Sequence, residues 1–224
     1  IQAFSVAITR FLHRRRAKLI VVACNTASAA ALRHLRDSFP EIPIVGMEPA
    51  VKPAAEMTQT GKVGVLATPT TFAGELYASV VERFGQNVKI FTSTCPGLVE
   101  QIEAGELESV KTREILVTAL EPMLESGIDT VVMGCTHYPF VIPVIQSITG
   151  SEVRIIDPAP AIARQVGRLL DQRDLLNTRN DREVLQFFTS GDPDRFGDMV
   201  LTLIGETAGV LPVHWEGHSI IPGT

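Results

Sequence analysis

KLIVVACNTASAAALRHLRDSFP, residues 18–40, is the stretch whose reading decides the fold. Its first six residues, KLIVVA, are a flat run of branched and apolar side chains without polar alternation. That pattern fits a strand buried on both faces, as parallel strands are. The chain then turns at Cys24-Asn25-Thr26 and enters an Ala-rich helix from about residue 27 to 38, closed by Pro40 and Pro43. The same grammar recurs on both sides. Before it, Phe4, Ile8, Phe11 and Leu12 share one helical face. After it, strands are expected at 44–47, 62–67 (KVGVLA), 88–93, 130–134 (TVVMG) and 153–156. Helical segments separate them: one after Thr68-Pro69-Thr70-Thr71 through Phe84, a short one marked by Leu98, Val99 and Ile102, and a longer one by Leu116, Leu120, Met123 and Leu124. Ile162, Val166, Leu169 and Leu170 mark the next. Strands alternating with helices form βαβ units, which pair in parallel through right-handed crossovers. The fold class is α/β. Residues 187–189 and 211–215 are expected as edge strands, and the last ten residues offer little for a core.

A chain of 224 residues suffices for one large α/β domain or two small ones. Hydrophobic residues at 45% and charged residues at 20% are an ordinary globular composition. A formal net charge of −5 leaves no basic footprint for nucleic acid. The one basic cluster, Arg14, Arg15, Arg16 and Lys18, falls where the first helix should end, and reads as a solvated terminus complementing the helix dipole. No segment is long and apolar enough for a membrane span, and no signal-peptide pattern is visible. Three cysteines, an odd number, fit free thiols in a reducing cytoplasm better than a disulfide scaffold. The chain opens at Ile1 inside an amphipathic helix, so a processed or incomplete N-terminus is expected.

The unusual residues collect where the strands end. Cys24, Thr68, Thr71, Cys135, Thr136 and Asp157 all follow strand segments. In open α/β sheets, ligands bind beyond the carboxyl ends of the strands, and helix N-termini there offer free N–H groups for carboxylates. Cys24-Asn25-Thr26 and Cys135-Thr136-His137 echo one another: strand, cysteine, small polar residues, helix. Two readings stand for each, a buried structural cysteine or a thiol activated at a helix N-terminus. Their matching topological positions favour the second. His137 could orient or protonate a group beside Cys135, or serve only a local hydrogen bond. Asn25, Thr26, Thr68, Thr70, Thr71 and Thr136 suit both helix caps and substrate contacts. Glu48 ends a strand, as a helix-start carboxylate or a cleft residue. Glu100, Glu103, Glu106 and Glu108 cannot be separated by spacing. Cys95 reads as structural. No C-x-x-C, coherent histidine spacing, G-x-G-x-x-G or Walker A loop is present, so neither a metal nor a cofactor is called for.

Several of these segments share a resemblance. VVACNTASA at 21–29 resembles the first cysteine motif of bacterial glutamate racemases, and VVMGCTHYPF at 131–140 the second. GMEPA at 46–50, ATPTT at 67–71 and the segment from Cys95 to Glu103 are similar in order and spacing, so the likeness runs from about residue 17 to 190. It implies a cofactor-independent enzyme of the aspartate/glutamate racemase superfamily that interconverts L- and D-glutamate and supplies D-glutamate for peptidoglycan. It implies two pseudo-symmetric three-layer α/β domains with largely parallel sheets and the substrate between them. Residues 1–46 and 158–224 would form a discontinuous first domain carrying Cys24. Residues 47–157 would form a second carrying Cys135. The resemblance makes Cys24 and Cys135 the catalytic thiols, assisted by His137 and by Glu103, with Glu100 as the alternative. It places substrate contacts on Asn25, Thr26, Thr68, Thr71 and Thr136. Family members usually open with an Asp-Ser-Gly strand and a Pro-Tyr-Gly loop, neither of which is present. The first domain is therefore expected to lack its opening strand and roughly fifty residues before Ile1. A homodimer and a cytoplasmic location follow from the family, as does an interaction with DNA gyrase known for some relatives. Rival readings are a racemase of aspartate or another acidic amino acid, a non-catalytic binding protein, and a cysteine hydrolase. The last is disfavoured because acyl transfer does not need two symmetric thiols.

Overall fold

The structure, a computed structural model, describes residues 1–178, 183–207 and 209–223. In chain order its elements begin with α1 (Gln2–Arg14), β1 (Ile20–Val22), α2 (Asn25–Ser38), β2 (Ile44–Gly46) and α3 (Val51–Met57). There follow β3 (Lys62–Ala67), α4 (Pro69–Phe72), α5 (Glu75–Phe84), β4 (Lys89–Ser93), α6 (Leu98–Glu103) and α7 (Val110–Glu125). The chain continues through β5 (Thr130–Gly134), a 3-10 turn at Tyr138–Val141, α8 (Ile142–Thr149), β6 (Arg154–Ile156) and α9 (Ala159–Gln172). It ends with β7 (Phe187–Thr189), α10 (Pro193–Ile204), β8 (Val210–Glu216) and β9 (Ser219–Pro222). Two compact units result. The first holds Ile1–Val21, Arg33–Val45 and the described residues of 164–224; the second holds Val22–Leu32 and Gly46–Ala163.

The second unit is built on a four-stranded sheet in the order β4-β3-β5-β6, parallel throughout. Its two central strands are buried almost end to end, which is why KVGVLA and TVVMG carry no polar alternation. On one face Val63, Val65, Ala67 and Val132 pack with Val51 and Ala54 of α3 and Val80 of α5. The opposite face meets α7. A Cβ on Gly64 would stand 2.9 Å from the Met123 sulfur, so the bare glycine lets that helix close on the sheet. Side-chain caps start two of the helices: Thr68, at the end of β3, accepts the Thr71 N–H, and Ser109, between α6 and α7, accepts the Thr112 N–H.

The first unit contains a two-stranded sheet, β1-β2, and a three-stranded one, β7-β8-β9. Three expectations are corrected here. The face of α1 that packs inward is centred on Ala7 and Phe11, while Phe4 and Ile8 stay 51% and 43% exposed. In β1, Ile20 is buried but Val21 is 40% exposed, because the face bearing Val21 is only partly covered. Segment 211–215 is not an edge: β8 lies between β7, parallel to it, and β9, antiparallel to it. The last ten residues supply β9, which packs on α1.

The segment that carries Cys24 groups with the second unit, whereas the sequence reading attached it to residues 1–46 and 158–224. Hydrogen bonds account for the grouping. Thr26 joins Thr68 and Thr71, and Ser28 accepts the Met47 N–H.

Candidate active site

Cys24 stands between β1 and α2. Its carbonyl accepts the Ser28 N–H at 2.8 Å, and its exposed thiol sulfur accepts the Ala27 N–H at 3.4 Å, the position of a helix-capping side chain. The next residue, Asn25, is only 3% exposed, yet neither its Nδ2 nor its Oδ1 has a hydrogen-bond partner. Leaving such an amide unpaired costs roughly 1–3 kcal/mol, so the position is suited to a ligand that both accepts and donates. Thr26 Oγ1 lies 3.0 Å from Thr68 Oγ1 and 3.2 Å from Thr71 Oγ1, and the last two are 3.0 Å apart. Three hydroxyls thus close a ring at the start of α2 and α4. Thr71 is buried, whereas Thr26 and Thr68 keep partial access.

Ser28, 2% exposed, is a residue the sequence reading did not single out. Its hydroxyl donates to the Val22 carbonyl at 3.1 Å and accepts the Met47 N–H at 2.9 Å. It therefore ties the backbone two residues before Cys24 to the end of β2. The available signal was a polar residue one helical turn beyond the cysteine, on the face that must turn inward.

Cys135 follows β5. Ala67 and Gly134 are register partners, so Thr68 and Cys135 leave the sheet from neighbouring strand ends. A Cβ on Gly134 would come within 2.7 Å of both the Ala67 Cβ and the Leu66 carbonyl oxygen, closer than atoms can stand. The Cys135 sulfur lies 3.8 Å from Nδ1 of His137, and Nε2 of the same ring lies 3.1 Å from Glu103 Oε1. Of the two candidate glutamates, Glu103 is the one that reaches the imidazole. Burial pushes the Cys135 thiol up. The backbone N–H of His137 pulls the other way, a charge on Cys24 pushes it further up, and the N–H groups of Tyr138 and Thr136 pull it down. Thr136 remains partly exposed.

Cys95 is buried, and desolvation pushes its thiol up to about 12 despite a hydrogen bond with the Tyr138 hydroxyl. The fully buried Tyr138 is itself raised, first by burial and then by the neighbouring Cys95 and Cys135. This pair stays protonated at neutral pH and backs Cys135 with uncharged groups. Glu48 is exposed. Among the described residues no group of three or more His, Cys, Asp or Glu is placed to hold a metal ion.

Comparison with known proteins agrees with this architecture. The Asp/Glu/Hydantoin racemase family model matches residues 3–166. A glutamate racemase of Roseiflexus sp. is 47% identical over 201 residues, which are 89% of this chain and 74% of that protein. The glutamate racemase of Francisella tularensis, solved in complex with D-glutamate, superposes with a TM-score of 0.80 at 26% identity, covering 96% of this chain and 80% of that one. The glutamate racemase of Escherichia coli, solved with L-glutamate and the activator UDP-MurNAc-Ala, gives 0.79 at 31% identity, covering 93% and 78%. The chain belongs to the Asp/Glu/hydantoin racemase family and, within it, to the glutamate racemases, which are isomerases.

Proposed function

We propose that this chain interconverts L- and D-glutamate by a two-thiol acid/base mechanism that needs no cofactor, with Cys24 and Cys135 addressing opposite faces of Cα. The D-glutamate formed would serve peptidoglycan synthesis in the cytoplasm. The observation that carries the reading is that Cys24 and Cys135, each placed just after a strand, fall in the same compact unit, with the buried Asn25 amide beside Cys24 left unpartnered among the described residues. The relatives that bind D-glutamate and L-glutamate support reaction in both directions.

Racemisation removes a proton from one face of a carbon and delivers one to the other. A single side chain reaches both faces poorly; a base and an acid on opposite sides meet the need. A thiol of ordinary pKa is a few per cent thiolate at neutral pH and serves in either role. Mutual repulsion favours one thiolate with one thiol over two thiolates. Cys24 would take the proton from D-glutamate while Cys135 delivers one to the opposite face, with the roles reversed for L-glutamate. Charge developing on the carboxylate side of the carbanion would be met by the Asn25 amide, Thr26, Thr136 and the N–H groups that open α2. Thr68 and Thr71 would hold Thr26 in place through the hydroxyl ring. His137 would serve Cys135. With Nε2–H donating to Glu103, Nδ1 is left to accept the thiol proton in the neutral ring, or to donate to the thiolate as imidazolium.

Incorporation of solvent deuterium at Cα, followed separately from each enantiomer, tests this. Cys24→Ser and Cys135→Ser should each abolish racemisation, with one-way exchange surviving from a single enantiomer in at least one of them. Racemisation unchanged in either variant would end the proposal.

A further inference from the structure

A cavity of about 240 Å³ opens in the first unit, where the last turns of α1 meet the β8–β9 hairpin. Arg10, Arg14 and Arg15 reach it from the helix side, His218 and Ser219 from the hairpin, and Phe11 contributes an apolar wall. Among the described residues, no carboxylate lines it. Among the described residues, none of the three guanidinium groups pairs with an acidic side chain. Arg10 and Arg14 are one helical turn apart, so their side chains rise from the same face. Arg15 is held in place: its guanidinium lies 3.7 Å over the Phe11 ring and 5.0 Å from the centre of the Phe188 ring. Stacking of this kind leaves the in-plane N–H donors free for an anion and lowers the entropy lost on binding one.

Three permanent positive charges thus meet around one concave space in a chain of net charge −5. The C-terminus of α1 carries a partial negative charge of about half a unit. One basic side chain would answer that; three arranged about a cavity exceed it. The geometry points to a binding site in this cavity for a small phosphate-bearing anion of about the size of pyrophosphate, held by Arg10, Arg14 and Arg15. The guanidinium fork matches paired phosphate oxygens, which favours phosphate over a single carboxylate. A cavity of this size, in an acidic chain, suits a small molecule better than a nucleic-acid backbone. The proposal is independent of the racemase reading and stands or falls without it.

Calorimetric titration of the chain with sodium pyrophosphate tests it. The expected result is one saturable site, weakened about tenfold when added salt shortens the screening length. The double variant Arg10→Gln/Arg14→Gln should lose at least about tenfold in affinity, while Arg113→Gln, in the second unit, should leave it unchanged. Ser219→Asp places a carboxylate in the cavity and should abolish binding with all three arginines intact. If the double variant fails to fold, Ser219→Asp alone decides. Heats that never saturate, or binding that survives both the double variant and Ser219→Asp, would overturn the proposal.

Discussion

Cys24 and Cys135 end strands with the same grammar, yet the two loops surround their sulfurs differently. Cys24 is exposed, and the contact to its sulfur is a single N–H at 3.4 Å. Cys135 is partly buried, is approached by three backbone N–H groups and is backed by an imidazole that leans on a carboxylate. Two loops that look interchangeable in sequence are therefore unequal in chemistry. One thiol depends on the backbone at a helix start. The other depends on a His-Glu pair as well, and burial raises its pKa above the ordinary thiol value. The inequality predicts that variants on the two sides fail in different ways.

The largest effect is expected on the Cys135 side. Glu103→Gln leaves a hydrogen bond to His137 possible but removes the carboxylate charge. His137→Asn removes the ring. Loss of general acid/base assistance is worth about 10²–10⁴-fold, so His137→Asn should lower kcat by about a hundredfold and Glu103→Gln by less. The sign of the pH effect follows from the raised Cys135 thiol. Its thiolate form is gained only as pH rises, so reaction from the enantiomer that needs Cys135 as base should climb with pH. Removing the His-Glu pair should displace that limb to higher pH and leave the opposite direction less affected. Equal loss in both directions, with no displacement of either limb, would erase the distinction between the two loops.

Ser28→Ala is the counterpart on the Cys24 side, with a smaller expected effect. It leaves the Val22 carbonyl and the Met47 N–H without their buried partner, at a cost of about 1–3 kcal/mol read from a denaturant midpoint. Because the lost bonds fix the backbone just before Cys24, kcat should fall several-fold in the direction where Cys24 is the base. Ser28→Thr retains the hydroxyl and should restore part of the activity. A drop in stability with kinetics untouched in both directions would show that Ser28 holds the fold alone.

How much of this was legible beforehand depends on burial. Strands 62–67 and 130–134 were readable because they are buried almost end to end, so that after Lys62 and Thr130 at their starts every residue is apolar or glycine. The first helix was readable as a helix but not in its orientation: Phe4 and Ile8 fit the same stripe as Phe11, and only tertiary packing distinguishes them. The signals for α10 and β9 were local and faint. Asp192-Pro193 caps the former, and Gly217, at φ 56°, turns the chain into the latter. At the site, the two cysteines stood out through position and spacing. Spacing could not separate Glu103 from Glu100, since the choice depends on where α6 sets each carboxylate relative to His137. Nor could it reveal the orphaned Asn25 amide, which is a property of packing.

The smallest effect on catalysis is expected at the opposite ends of the same strands. Asp129 immediately precedes β5, whose other end leads to Cys135. Its carboxylate accepts the Thr58 hydroxyl, the Gln59 N–H at 2.6 Å, the Thr60 N–H at 2.8 Å and the Thr130 hydroxyl. Burial pushes its pKa up, but these four donors outweigh it and hold the group at about 2. A carboxylate depressed in the folded state adds stability that is complete above its unfolded pKa, near 3.9. That stability drains away as pH falls from about 4 towards 2. Asp129→Asn should therefore lower the thermal midpoint by a few degrees at pH 7, a difference that shrinks as both proteins are acidified below about pH 4. At temperatures where both are folded, kcat should change less than about twofold in either direction, since the bonds lost lie at the strand starts and the thiols beyond the strand ends. A large, direction-dependent loss of rate in Asp129→Asn would mean that the strand starts help to set the thiol geometry, and that the contrast between the two cysteine loops is not confined to their own surroundings.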